Sequence, residues 1–201
     1  MPAGPGPVLN SPGRLKHVLK CTTIQPVVEM PALKIRTVGD PVLAKVAEKV
    51  VVIDEDIVRL AKDMVATMHQ APGIGLAAPQ VNVSKRLITI DLSVGKNEEE
   101  LIVVVNPEII DKSGGTIVGE EGCLSVPGVA EKVSRPARVK VKGLDLKGNE
   151  KLYEAEDLLA RAFCHEIDHL DGKLFIDRLS ALKRQLVKRK LRRELPTEER
   201  L

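Results

Sequence analysis

The chain has 201 residues, 43% of them hydrophobic, and a net charge of +3; that is enough for one domain with a sizeable core, and too weak a field to call for nucleic acid. With one Tyr, two Phe and no Trp, it lacks the aromatic faces on which single-stranded nucleic acid stacks. The cysteines, Cys21, Cys123 and Cys164, are odd in number and irregularly spaced, which fits a reducing cytoplasm rather than a secreted disulfide framework, and no apolar run approaches the ~20 residues that cross a bilayer, so neither a membrane nor DNA is an expected partner.

Residues 1–31 are rich in Pro and Gly and carry Arg14, Lys16 and Lys20 but no acid before Glu29. They read as a disordered leader. The lack of acids fits an organelle transit peptide, but Ser and Arg are too few, and a plain tail fits better. Order is expected from Leu33, with a turn at Gly39-Asp40-Pro41.

A first helix is predicted from Asp54 to Gln70, capped by Asp54, with Ile57, Leu60, Ala61, Met64, Val65 and Met68 on one stripe of period 3.6. Past it comes Gly73-Ile74-Gly75-Leu76-Ala77-Ala78-Pro79-Gln80. Two glycines and two small alanines let backbone approach a ligand, and the Gln80 amide can donate to an oxygen. Alone the stretch is ambiguous, since a GxG is more often a turn and no phosphate-cradling fingerprint follows. Strands are expected at Arg86–Leu92, Leu101–Val105 and Arg138–Val141. A second helix should start near Glu156 or Asp157 and end at Gly172, and a third should span Ser180 to Leu195 with Ser180 as cap and Leu182, Leu186 and Val187 as its inner face. Helices and strands do not alternate strictly. The expected fold is therefore α+β, with mostly antiparallel sheet around a central helix and further helices at each end, in one domain over residues 32–195 with a tail at 196–201.

The second helix contains Cys164-His165-Glu166-Ile167-Asp168-His169, two of the chain's four histidines. Residues i and i+4 share a helix face, so His165 and His169 can aim at one metal ion, while Glu166 beside them can act on a water without being a ligand. The bland reading is a solvated His pair on a charged helix. Leu158, Leu159, Ala162, Phe163 and Leu170 make this helix largely apolar, which favours a buried site whose polar groups need partners. No histidine follows His169, so the third ligand must come from elsewhere. Cys123 in Glu121-Gly122-Cys123-Leu124-Ser125 is the best candidate; a thiolate and two imidazoles leave a fourth position open for water. Otherwise Cys123 is a small buried hydrophobe. On this helix alone, a zinc endopeptidase is the rival reading.

The stretches GIGLAAPQ, EGCLS and HEIDH resemble, in this order and spacing, the three signatures of the peptide deformylase family, GxGxAAxQ, EGCxS and HExDH. The likeness runs through GDPVL, NPEI, SVPG, SRP, LDG and LFIDRLS, from about Leu33 to Arg193. It implies removal of the formyl group from the N-terminal formylmethionine of new polypeptides, releasing formate. It further implies Cys123, His165 and His169 as metal ligands, Glu166 as the base, and the Leu124 N–H and Gln80 amide as donors to the developing oxyanion. The strand at Gly75 would pair with the substrate backbone and Ile74 would help to line the methionine pocket. The implied ion is Fe2+, with Zn2+ or Ni2+ as substitutes. One residue departs from this pattern, and another that matches it calls for a partner. Cys164 stands where the family usually has Gln, either as a passive packing residue or as an oxidation liability, and Asp168 needs a cationic partner, for which Arg135 is the candidate. The run from Lys183 to Arg193 is dense in base and free of acid, so this helix is either a solvated face or, as in some family members, a grip on ribosomal RNA.

Overall fold

The Asp54 carboxylate accepts a hydrogen bond from the Ile57 N–H at 3.0 Å, and the helix it caps, α1, runs Glu55–Gln70 in the computed structural model. Residues 32–194 are described; the expected leader and the tail at 196–201 lie outside them. The predicted stripe of α1 faces inward. Ala61, Met64 and Met68 are buried, and so is Thr67, whose hydroxyl returns to the Asp63 carbonyl and accepts from the Leu33 N–H.

Five strands follow: β1 (Gly75–Ala77), β2 (Leu87–Ile90), β3 (Ile102–Cys123), β4 (Val126–Leu144) and β5 (Glu150–Glu156). They form one antiparallel sheet in the order β1-β2-β3-β4-β5. The expected strands fall on β2, the start of β3 and part of β4, but β3 and β4 are far longer, with 22 and 19 residues. Pro107, Gly114, Gly115, Pro127 and Pro136 hide that length in the sequence. In the fold they are absorbed by irregularities, one of which spans Ser113 to Thr116, because pairing along a hairpin outweighs weak local strand preference. Cys123 pairs with Val126, leaving Leu124 and Ser125 as the turn at the hairpin's tip.

Helix α2 (Asp157–Leu170) lies on the sheet. Ala160, Phe163, Ile167 and Leu170 pack against Ile88, Ile90, Val104, Val139 and Val141, each large side chain contributing about 1.5–3 kcal/mol of apolar burial. The helix stops as expected, with Gly172 left-handed at φ +69°. Because the side chains on one side of α2 are spent on the sheet, those on the other side are held rigidly toward the hairpin's tip.

The last helix, α3, runs Ala181–Glu194, and here the expected inner face is corrected. Val187 is buried, but Leu182 and Leu186 are 68% and 54% exposed. Leu191 takes their place at 1% exposure and packs with Val187 in the cluster of Leu174, Phe175 and Ile176. The i, i+4 pair that meets this cluster lies one turn further along than the sequence pattern suggested.

Candidate metal centre

His165 and His169 stand one turn apart on α2 with ring centroids 5.1 Å apart. The turn between β3 and β4 brings the Cys123 Sγ to 3.2 Å from the His169 Nε2, and one donor atom from each of the three lies within 4.8 Å of the others. A sulfur and two imidazole nitrogens, close together and largely buried, suit a borderline divalent transition metal such as iron or zinc. The set fits a divalent transition metal of the class that the sequence reading called for.

Glu121 orients the first ring. Its Oε2 lies 3.0 Å from the His165 Nδ1, which directs the Nδ1–H to the carboxylate and leaves Nε2 for a metal. Burial alone would raise the Glu121 carboxyl, but Arg135, donating from Nε and Nη2 at 2.8 Å each, and His165 hold it at about 2. On His169 burial acts in the same direction as the neighbouring His165 and Arg135, and its titration falls well below the ordinary range. That ring is a neutral imidazole, the form that ligates.

Glu166 behaves differently. It is 4% exposed and its Oε2 has no hydrogen-bond partner, and burial pushes its carboxyl up to about 7. A Cβ on Gly75 would run into the Glu166 carboxyl. The glycine that the sequence reading assigned to close approach therefore makes room for this acid. Gln80 is anchored by the Ala77 N–H, which donates to its Oε1 at 2.8 Å, while its Nε2 reaches the Ser125 Oγ at 3.2 Å and the Cys123 Sγ at 3.6 Å. Ile74, Gly75, Gln80, Cys123, Leu124, His165 and Glu166 all line one cleft of about 660 Å³. His169, 1% exposed, lies beneath it. All eight site residues read from the sequence are thus brought together.

The Asp168 carboxylate receives Arg135 as expected, at 2.5 Å, and also Arg178, whose Nε and Nη2 donate at 3.0 and 2.5 Å. Sequence reasoning missed Arg178, as it missed the part played by Ser125; the only signal was a charge near an apolar helix. Cys164 is 5% exposed within the core, and burial pushes its thiol up, which supports passive packing.

A family model for polypeptide deformylase matches residues 32–185. The chain belongs to the peptide deformylase family. The deformylase of Thermodesulfovibrio yellowstonii is 52% identical over 163 residues, 81% of this chain and 98% of that protein. That of Acidobacterium capsulatum is 50% identical over 170 residues, 85% and 95% of the two chains. The crystal structure of a Legionella pneumophila deformylase superposes with a TM-score of 0.75 at 45% identity, covering 83% of this chain and all (100%) of that one. A Synechococcus elongatus deformylase in complex with actinonin gives 0.77 at 39% identity, with 84% and 91% covered. An α+β deformylase fold and a metal-dependent hydrolase follow from these likenesses, and the endopeptidase reading is not favoured.

Proposed function

We propose that Cys123, His165 and His169 hold one divalent ion, Fe2+ with Zn2+ or Ni2+ as substitutes, at which the catalytic domain of residues 32–195 removes the formyl group of N-formylmethionyl peptides. The observation that carries the reading is the meeting of one sulfur and two ring nitrogens, distant in the chain, within 4.8 Å. When bound, the ion lowers the pKa of a coordinated water from ~15.7 toward ~7 and polarises the formyl carbonyl.

The rest is done by the chain. Strand β1 is an edge of the sheet, so its free side can receive an extended peptide by main-chain pairing, with Gly75 allowing close approach and Ile74 on the apolar wall. Glu166, its carboxyl raised to about 7, takes the proton from water as it attacks the formyl carbon and returns it to the departing amine. The Gln80 amide and the Leu124 N–H, at the hairpin's tip, donate to the oxyanion; such donors are worth about 3 kcal/mol each. Glu121 and Arg135 keep His165 in its tautomer throughout. Lys188, Arg189, Arg192 and Arg193 are exposed on α3, in support of a ribosomal RNA contact. Among the described residues no helix is long and apolar enough to cross a membrane.

The test combines elemental analysis of anaerobically purified protein with formate release from formyl-Met peptides, unblocked peptides serving as controls. Glu166→Ala is expected to keep its metal and lose activity by at least ~100-fold. Loss of the metal in that variant would make Glu166 a ligand and undo this assignment.

A further inference from the structure

Arg161 sits on α2 one turn before His165 and takes no part in the roles above. It is 9% exposed. Its Nη1 donates to the Glu121 Oε1 at 2.7 Å, to the Val133 carbonyl at 2.9 Å and, more weakly, to the Gly119 carbonyl at 3.4 Å. Its Nη2 donates to the Ile117 carbonyl at 2.8 Å. One guanidinium thus grips both strands of the β3–β4 hairpin and the carboxylate that orients His165. The hairpin is shaped to receive it: a Cβ at Gly119 would come within 2.8 Å of Nη2 and 3.0 Å of Cζ, so the guanidinium lies where a side chain would otherwise stand.

We propose that Arg161, lodged against Gly119, is a positioning residue that couples the hairpin wall of the cleft to the Glu121–His165 pair. The physical reason is the shape of the group. A planar fork with fixed donor directions can satisfy a carboxylate and several carbonyls at once, whereas a lysine is a point donor that can satisfy only part of the set. Glu121 takes Arg161 and the Arg135 Nε on Oε1, and the Arg135 Nη2 and His165 on Oε2. With Arg161 removed, the two-point Arg135 pair remains, but Glu121 and the hairpin strands lose their tie to α2, so the carboxylate can shift as a unit relative to the helix that carries His165, taking the acceptor of the Nδ1–H with it. Partners of metal ligands that shift in this way typically cost 10- to 100-fold in metal affinity.

The proposal rests on the metal site put forward above, and its test separates the two. Full-length protein loaded with Co2+ is titrated with a chelator, and release is followed by the thiolate-to-cobalt absorption. In Arg161→Met the affinity for Co2+ should fall about tenfold, and Arg161→Lys should not restore it. Gly119→Ala should weaken binding in the parent but change it less than about twofold when added to Arg161→Met, since the displaced group is then gone. If Arg161→Met keeps Co2+ affinity within about twofold of the parent while only its thermal midpoint falls, the residue is a brace and the proposal is overturned. Should Arg161→Met not fold, unchanged Co2+ affinity in Gly119→Ala overturns it equally. A parent protein that takes up no Co2+ would instead sink the metal site.

Discussion

The contact between Gly75 and Glu166 shows how narrowly the chemistry constrains single side chains. A methyl group at position 75 has no space, because the Glu166 carboxyl already occupies it. Gly75→Ala is therefore expected to displace the acid by a fraction of an ångström to one ångström, lowering kcat for formate release about 100-fold while metal content stays at the parental level. An activity loss accompanied by metal loss would point to wider collapse of the site. At this scale the sequence was informative where chemistry imposes a spacing. The proposed ligands His165 and His169 are one turn apart, the spacing at which both can reach one ion, and the place of Glu166 follows from the same helical geometry. Arg178 and Arg161 were not legible, since each meets its partner through folding: Arg161 finds Glu121 from 40 positions away.

Among the elements, α1 and α2 begin and end close to their expected limits, for α1 carries the Asp54 cap, α2 stops at the left-handed Gly172, and both carry apolar stripes that match the helical repeat. Helix α3 has a weaker pattern, and its buried side depends on which residues meet Leu174, Phe175 and Ile176. The two assignments of its inner face differ measurably. Leu191→Ala should cost about 2–5 kcal/mol in urea unfolding, and Leu182→Ala, at an exposed position, less than about 0.5 kcal/mol. Equal effects would restore the face read from the sequence. The long β3–β4 hairpin was legible only in fragments. Its prolines, glycines and alternating charges read locally as loop, and strand pairing overrides them once both arms are present.

For the whole molecule, acid stability has a specific source away from the cleft. The buried Asp91 carboxylate accepts from the Ser93 N–H and hydroxyl at 2.9 and 2.7 Å and from the Gly95 N–H at 2.8 Å, and it pairs with His69 of α1 at 2.7 Å. Burial alone would raise it, but these bonds hold it at about 2, below the ordinary 3.8. A carboxyl lowered by folding stabilises the fold above its unfolded pKa, and that contribution is lost as pH falls through the folded one. Between about pH 4 and pH 2 the stability of the parent should thus decline faster than that of Asp91→Asn, as read from urea midpoints. Parallel curves would show that Asp91 carries no such load.

The sequence by itself determined the family, the α+β class, and the residues proposed as ligands and acid, because local helix geometry and three separate motifs encode them without reference to distant partners. What only the tertiary structure decided is the tuning of those residues: the carboxylate that fixes the His165 ring, the arginines that share Glu121 and Asp168, and the burial that raises Glu166. Such effects depend on desolvation and on contacts between segments far apart in the chain, and both exist only after the hairpin has closed over the helix.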